Sequence, residues 1–273
     1  MSSTISHEIE DYESLLVALQ NVLGVVVPDA QRSCLVERVE PLLSNYKFES
    51  LASLAASLQG EQADEIRSSV LEAISQRQSD WIINPAMLNV LHNYVFAQLP
   101  DSARIWVVGC GQGQLAYAVA MEIAEYENKS GEAKNFQLFA TDSTQSDIKL
   151  AELATYSAQQ SSGLSEEYKK SYTTVDDTGD SWTIKNKIRQ NINFSQRDLT
   201  EDFQSIGAMD LIICPEILVY FSNGVKAGIL HQFSTLLKSG GILLTGSNQA
   251  VTPFTDGFER VEHPAGVFYR QKS

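Results

Sequence analysis

Residues 105–113 read Ile-Trp-Val-Val-Gly-Cys-Gly-Gln-Gly, an apolar run that breaks into a glycine-rich loop. A helical pattern follows, and a second apolar run at 136–141 ends on Asp142. Glycine lets a backbone turn sharply and approach a ligand, and a helix N-terminus offers unpaired N–H groups. An acid at the end of the second strand can accept both hydroxyls of a ribose. The segment therefore predicts a site for a nucleoside-bearing cofactor.

The spacing of the glycines narrows the choice of cofactor. The run Gly111-x-Gly113-x-x-Ala116 satisfies a loose dinucleotide pattern. A dinucleotide loop, however, has its first glycine directly after the strand, and here that residue is Gly109. The resulting G-x-G-x-G spacing is typical of S-adenosylmethionine (SAM) methyltransferases. We expect SAM, with a nicotinamide or flavin cofactor and a purely structural glycine turn as the alternatives.

The length and composition fit a non-secreted globular protein. The 273 residues allow one large domain or a medium domain with a small one, and 43% of them are hydrophobic, enough for a substantial core. No run of 18 apolar residues occurs, and the first dozen residues are polar and acidic. We therefore expect no membrane insertion, no signal peptide and a cytoplasmic location.

The net charge disfavours some classes of binding partner, and the spacing of cysteine and histidine argues against disulfides and metal sites. The formal net charge of −14 disfavours nucleic acids and anionic membranes, although surface acid also simply keeps a protein soluble. Cys34, Cys110 and Cys214 show no C-x-x-C spacing, which indicates reduced thiols. The four histidines are scattered, so we expect no metal site.

The pattern along the chain changes near Leu99-Pro100-Asp101. Residues 8–99 have helical periodicity, with helices expected at about 48–59, 62–76 and 86–98. Proline disfavours a helical residue before it, so we place a boundary there, between an N-terminal helical domain (1–100) and a cofactor-binding domain (101–273). In the second domain strands and helices alternate. We expect strands at 104–108, 136–141, 191–196, 209–213, 241–246 and 267–270, and helices at about 114–127, 144–156, 164–171 and 223–238.

This alternation predicts an α/β fold with a Rossmann-like parallel sheet covered on both faces. The strand at 267–270 is expected to pair antiparallel. In an open parallel sheet, ligands bind beyond the C-terminal ends of the strands. Four such ends carry polar or glycine residues: 109–113, Asp142, Asp198-Leu199 and Cys214-Pro215-Glu216.

Taken in order, these segments resemble the CheR-type methyltransferases, which esterify glutamates of bacterial chemoreceptors. The resemblance rests on a collinear series of short motifs that covers nearly the whole chain. The motifs are the glycine loop with Tyr117, Ala140-Thr141-Asp142, Leu164-Ser165, Asp198-Leu199, Met209 to Cys214, Leu218-x-Tyr220-Phe221, Leu236-Leu237-Lys238-x-Gly240-Gly241, and Phe258 to Pro264 before Tyr269-Arg270.

The resemblance implies how SAM would be held. The loop glycines would line its methionine and ribose, Asp142 would hold the ribose hydroxyls, and residues 198–199 would border the adenine. The alternative for Asp142 is a helix N-cap, where aspartate is common. The expected cofactor-binding residues are Gly109, Gly111, Gly113, Gln114, Asp142, Asp198, Leu199 and Cys214.

The resemblance also indicates where the methyl group would be transferred and where this chain departs from the family. Tyr220 stands where the family has an active-site tyrosine, and Glu216 is the second candidate catalytic residue; a buried tyrosine with a local partner is the alternative for Tyr220. Ile83 replaces a family arginine, Gln114 a glutamate, and Pro215-Glu216 an Arg-Asn pair. Losing an arginine removes a bidentate clamp for a carboxylate.

Two functions follow from the resemblance. The first is a SAM-dependent protein-glutamate O-methyltransferase, which yields S-adenosylhomocysteine (SAH) and acts on a chemoreceptor or another signalling protein. The second is a catalytically degenerate family member that serves as a SAM-binding or protein-interaction module. Trp81 and Ile83 are expected near the cofactor pocket in either case.

Overall fold

A computed structural model describes residues 2–27, 29–60, 63–75, 81, 85–215, 217–246 and 251–272. The chain forms two compact units, Met1–Gln78 with Ile217–Lys226, and Ser79–Glu216 with Ala227–Ser273. The compact units therefore divide between Gln78 and Ser79, ahead of the helices at 85–98. The domain boundary expected at Leu99 to Asp101 stays a prediction.

The first unit is built from four described helices around an aliphatic core. Helical periodicity places Leu15, Leu19 and Leu23 on one face of the first helix, where all three are buried. The third helix begins with a reciprocal cap, in which the Ser50 hydroxyl accepts from the Ser53 N–H and the Ser50 N–H donates to Ser53 Oγ. The helices are α1 (Ser2–Leu23), α2 (Asp29–Tyr46), α3 (Leu51–Ser57) and α4 (Asp64–Ser75). The helices expected at 48–59 and 62–76 are confirmed as α3 and α4.

A distant segment, 217–226, belongs to this helical unit. Val25 forms an isolated antiparallel bridge with Phe221, and the Val26 N–H donates to the Tyr220 carbonyl at 2.6 Å. Gly24 has a φ of +65°, and a Cβ there would lie 2.6 Å from Val225 Cγ2. A close backbone approach at Gly24 therefore fixes this segment to the end of α1.

The second unit contains a large sheet. Within the described residues it has seven strands in the order β6-β2-β1-β7-β8-β10-β9. Neighbouring strands pair in parallel from β6 to β8, whereas β10 pairs antiparallel with both β8 and β9, as expected for the C-terminal strand. The strands are β1 (Arg104–Val108), β2 (Gln137–Asp142), β6 (Ile192–Gln196), β7 (Met209–Cys214), β8 (Leu237–Thr245), β9 (Phe258–His263) and β10 (Gly266–Gln271).

Helices flank this sheet and complete its core. Every residue of β7 is buried, as is all of β1 except Arg104, because a parallel sheet is covered on both faces. Residues 85–98 form one continuous helical stretch with a π-helical turn at Leu91–Val95. The helices are α5 (Pro85–Val90), α6 (Phe96–Gln98), α7 (Gln114–Ser130), α8 (Gln145–Leu153), α9 (Glu166–Tyr172), α10 (Asn186–Arg189) and α11 (Asn223–Leu236).

The sequence prediction is wrong in two places. No strand was expected between 142 and 191, yet the structure has a small sheet of β3 (Thr155–Ser157), β4 (Thr173–Val175) and β5 (Ser181–Ile184), in the order β3-β5-β4. β3 and β4 are mostly exposed and β5 is mostly half-buried, and strands of three or four residues are too short to show the alternation over four to eight residues that marks a half-buried strand. In addition, α11 ends at Leu236 and β8 begins at Leu237, where Leu237 pairs with Met209, four residues before the expected strand.

Candidate functional site

The sheet order brings the predicted strand ends together. In the order β6-β2-β1-β7, residues 198–199 follow β6, Asp142 ends β2, the glycine loop follows β1 and Cys214 ends β7. These four strands are parallel, so their C-terminal ends share one edge of the sheet. The described cofactor-binding candidates therefore occupy one continuous edge of the second unit.

The glycine loop has the backbone that the sequence predicts. Gly109, Gly111 and Gly113 have φ values of +64°, +51° and +94°, in the region that favours glycine. A Cβ on Gly113 would lie 2.9 Å from Ala151 Cβ and 3.2 Å from Tyr117 Cε2. Gly113 is therefore required by packing against α8, in addition to any role in approaching a ligand.

Asp142 links the glycine loop to the start of α8. Its Oδ2 accepts a hydrogen bond from the Gly111 N–H at 2.9 Å, and its Oδ1 accepts one from the Thr144 N–H at 3.1 Å. Thr144 is the N-cap of α8, so Asp142 is not the N-cap residue. The two backbone donors fix the half-buried carboxylate at the sheet edge, and a fixed carboxylate is the acceptor that a ribose diol requires.

Three side chains support the loop from the side of the small sheet. The Tyr156 hydroxyl donates to the Gln112 carbonyl at 2.7 Å, and Gln160 Nε2 donates to Gln112 Oε1 at 2.9 Å. Trp81 Nε1 donates to the Gln160 carbonyl at 2.6 Å, and its ring packs edge-on against Tyr156 with centroids 4.8 Å apart. Tyr156 and Gln160 carry no signal in the sequence, because β3 and the turn after it were not predicted.

Gln114 carries an unsatisfied acceptor at the edge of the loop. It is the first residue of α7, its side chain is 2% exposed, and its Oε1 has no hydrogen-bond partner among the described residues. A buried polar atom without a partner costs about 1–3 kcal/mol, which a ligand donor would recover. The α-ammonium of SAM is such a donor, so the residues present fit this cofactor.

The remaining strand-end candidates have structural partners of their own. Asp198 Oδ1 accepts hydrogen bonds from the N–H and the hydroxyl of Thr200, both at 2.8 Å. The Arg197 N–H donates to the Asp142 carbonyl at 2.7 Å, which places Asp198 beside the end of β2. Leu199 is buried and offers an apolar surface there.

The described cysteine side chains lie in the protein interior. Cys110 and Cys214 are buried, and within the described part of the chain neither forms a disulfide, while the side chain of Cys34 lies outside that part. Burial raises the pKa of the Cys110 thiol well above its usual value, and the nearby Asp142 charge raises it further. The thiolate is the nucleophilic form, so Cys110 cannot act as a nucleophile at neutral pH. Across the described residues, no group of three or more His, Cys, Asp or Glu side chains is placed to hold a metal.

Of the two candidate catalytic residues, Tyr220 lies among the described residues. Tyr220 ends a single helical turn, Leu218–Tyr220, within the helical unit, where its half-buried ring packs against the aliphatic core. Glu216 lies outside the described residues, as does Ile83. Their roles stay predictions.

We expect the tyrosines around the loop to make the protein sensitive to alkali. Burial raises the pKa of both Tyr117 and Tyr156 well above the usual value of 10.0. The folded protein therefore keeps protons that the unfolded chain releases, so the free energy of unfolding is undiminished below pH 10 and falls as pH rises beyond it. Thermal unfolding measured from about pH 8 to pH 11 should show this fall, with a shallower slope for Tyr156→Phe. If stability fell with pH as steeply in Tyr156→Phe as in the unmodified protein, Tyr156 would not be a source of the alkali sensitivity.

Comparison with known proteins identifies the family. Residues 77–267 match the model of the CheR methyltransferase SAM-binding domain. A chemotaxis protein methyltransferase of Vibrio parahaemolyticus is 27% identical over 269 residues, covering 96% of this chain and 97% of the relative. Chemotaxis protein methyltransferase 1 of Pseudomonas aeruginosa is 28% identical over 270 residues, covering 96% and 98%. Among solved structures, the N-methyltransferase NodS of Bradyrhizobium japonicum has a TM-score of 0.45 at 16% identity, covering 74% of this chain and 97% of NodS.

The match confirms the predicted family, fold class and cofactor. The matched segment includes the glycine loop, Asp142 and Gln114, and the cofactor of the matched domain is SAM. No helix among the described residues combines the length and the apolar character needed to cross a membrane. On the evidence of this match, the chain belongs to the CheR methyltransferase family and is a SAM-dependent methyltransferase.

Proposed function

We propose that this protein transfers the methyl group of SAM to glutamate carboxylates of chemoreceptors in a cytoplasmic chemosensory pathway. The observation that carries the proposal is the match of 96% of the chain to relatives named chemotaxis protein methyltransferases. The arrangement of the glycine loop, Asp142 and Gln114 supports the cofactor half of the reaction, because each offers a group suited to part of SAM.

Methyl transfer to a glutamate carboxylate requires the enzyme to position the two reactants and does not require a base to activate the carboxylate. An ionised glutamate carboxylate is already a nucleophile at neutral pH, so one of its oxygens bonds to the methyl carbon while the carbon–sulfur bond breaks and SAM becomes SAH. The protein must align the two reactants and exclude water. The protonated Cys110 thiol does not compete for the methyl group.

A second function, that of a catalytically degenerate binding module, is favoured by specific departures in the sequence. Gln114 places a neutral amide where the family has an acid, and the buried Gln114 Oε1 is an acceptor without the charge that would attract the SAM ammonium. Ile83 and Glu216 replace an arginine and an asparagine at positions that would orient the substrate carboxylate. SAM binding would persist in such a module while transfer would be slow.

Labelled methyl transfer to chemoreceptor fragments separates these two functions. If Ile83 and Glu216 have replaced the groups that orient a glutamate substrate, transfer by the unmodified protein should be slow, and Ile83→Arg with Glu216→Asn should make it at least about tenfold faster, because the change restores a charge-assisted clamp and removes a like charge. Alkali should release the label, as it does from a methyl ester. Asp177→Asn, an exposed change of the same kind in the β4–β5 turn, is the control and should leave the rate unchanged.

The outcomes are distinct. Fast, alkali-labile transfer by the unmodified protein would rule out the degenerate module. A protein that binds SAM but methylates no chemoreceptor fragment from the same cell, with or without the double change, would overturn the glutamate methyltransferase proposal.

A further inference from the structure

Gln112 connects the glycine loop to the small sheet. It stands between Gly111 and Gly113 and is the residue of this Gly-Gln-Gly run that carries a side chain. Glycine has more conformational freedom than any other residue, so a loop with three glycines in its five residues, 109–113, is costly to fix. A ligand binds more tightly when such a loop is already fixed before the ligand arrives. The hydrogen bonds that hold Gln112 therefore bear on the affinity for a ligand of this loop.

Tyr156 supplies the stronger of two hydrogen bonds that reach Gln112 from the small sheet. Its hydroxyl donates to the Gln112 carbonyl at 2.7 Å, and Tyr156 is 2% exposed. A hydrogen bond in such surroundings is strengthened by the low local dielectric. The bond from Gln160 Nε2 to Gln112 Oε1, at 2.9 Å, lies at the exposed surface, where water competes for both groups. We therefore expect Tyr156 to contribute more than Gln160.

The Tyr156 ring is held on two sides by other aromatic rings. Trp81 packs edge-on against it with centroids 4.8 Å apart, and Tyr117 does so at 6.3 Å, an arrangement that aromatic pairs favour. Tyr117 in turn reaches the loop, since its Cε2 would lie 3.2 Å from a Cβ on Gly113. The Tyr156 hydroxyl is therefore aimed at the loop by a packed cluster, and its direction does not depend on a ligand.

The turn after β3 fixes the direction of the Gln160 amide. Gln160 Oε1 accepts from the Ser157 N–H at 3.0 Å. Because a backbone N–H can only donate, the amide oxygen faces Ser157 and the amide nitrogen is left to face Gln112. The Gln160 carbonyl accepts from Trp81 Nε1 at 2.6 Å. Both groups that bond to Gln112 are thus oriented by contacts within the second unit.

We propose that Tyr156 is a positioning residue for SAM. With help from Gln160 it holds the Gln112 backbone in the conformation that binds the cofactor, so its effect on SAM passes through the glycine loop. This proposal rests on the SAM site at the strand ends. It differs from a purely structural role, in which the Tyr156 hydroxyl would stabilise the fold but leave the SAM affinity of the folded protein unchanged.

Calorimetric titration with SAH tests the proposal, at a temperature at which circular dichroism shows each protein to be folded. Tyr156→Phe should weaken binding about three- to tenfold, the range for one lost hydrogen bond. Gln160→Ala should weaken binding less, because its hydrogen bond is exposed. The matched control is Tyr172→Phe: Tyr172 is 1% exposed and its hydroxyl donates to Glu125 Oε1 at 2.5 Å. This control should lower stability and leave the SAH affinity unchanged.

Hydrogen exchange by NMR in the absence of ligand shows whether the loop has loosened. The Gly113 N–H donates to the Cys110 carbonyl at 2.9 Å within the loop, and Val107 is buried in β1. Exchange at Gly113 relative to Val107 should be at least about threefold faster in Tyr156→Phe, because local opening requires one hydrogen bond fewer. The ratio should stay unchanged in Tyr172→Phe, since a general loss of stability does not act on the loop alone.

The possible failures are distinguishable. If the unmodified protein does not bind SAH, the SAM site itself is wrong, and this proposal falls with it. If the unmodified protein binds SAH and Tyr156→Phe binds it equally tightly, the SAM site stands and Tyr156 is not a positioning residue. Equal weakening by Tyr172→Phe, or an unchanged exchange ratio at Gly113 in Tyr156→Phe, would likewise overturn the proposed action through the loop.

Discussion

We expect Asp142→Ala to weaken SAH binding by about 1–3 kcal/mol, the range for a lost charge-assisted hydrogen bond. The carboxylate accepts from the backbone N–H groups of Gly111 and Thr144, so its loss removes both the proposed ribose acceptor and the link between the loop and α8. Isothermal titration calorimetry of the variant and the unmodified protein measures the difference directly.

The matched control for Asp142 is Asp177→Ala. Asp177 is exposed in the turn between β4 and β5, so its removal changes the net charge equally without touching the strand ends. Unchanged affinity in the control, with reduced affinity for Asp142→Ala, would support the site. Wild-type affinity in Asp142→Ala would show that this carboxylate does not hold the ribose.

The second large effect is expected for Gly113→Ala, measured as the free energy of unfolding. A left-handed conformation costs a residue with a side chain roughly 1–2 kcal/mol, and overpacking adds about 1–3 kcal/mol. The new Cβ would lie 2.9 Å from Ala151 Cβ and 3.2 Å from Ala151 Cα, and a helix backbone cannot easily move away. We therefore expect a loss of about 2–5 kcal/mol in denaturant unfolding.

Gly131→Ala is the control that separates the cost of the left-handed backbone from the cost of overpacking in Gly113→Ala. Gly131 also has a left-handed backbone, with φ at +72°, but a Cβ there would meet nothing within 4 Å. This variant should lose only the conformational part, roughly 1–2 kcal/mol. Equal losses for the two variants would contradict the packing of the glycine loop against α8.

The large sheet could be predicted because its strands are buried on both faces. β1 and β7 are near-continuous apolar runs, a pattern that burial itself imposes. The small sheet could not be predicted in this way. Its strands Thr155–Ser157 and Thr173–Val175 are mostly exposed and are held by pairing with β5, a tertiary contact that local sequence does not encode.

The candidate site shows the same division. Residues that the backbone requires, such as Gly113, or that end a buried strand, such as Asp142, carry a signal in the sequence. Residues that act through tertiary contacts do not: Tyr156 and Gln160 reach Gln112 from the small sheet. The sequence likewise could not show that Gln114 Oε1 is buried without a hydrogen-bond partner among the described residues, because this depends on the residues that surround it in the fold.

The most direct test of whether the strand ends hold SAM is a calorimetric titration of the unmodified protein with SAM and with SAH. We expect saturable binding of both ligands with one site per chain. If neither ligand binds, the site formed by the glycine loop, Asp142 and Gln114 is not a SAM site, and both the methyltransferase and the SAM-binding module are excluded.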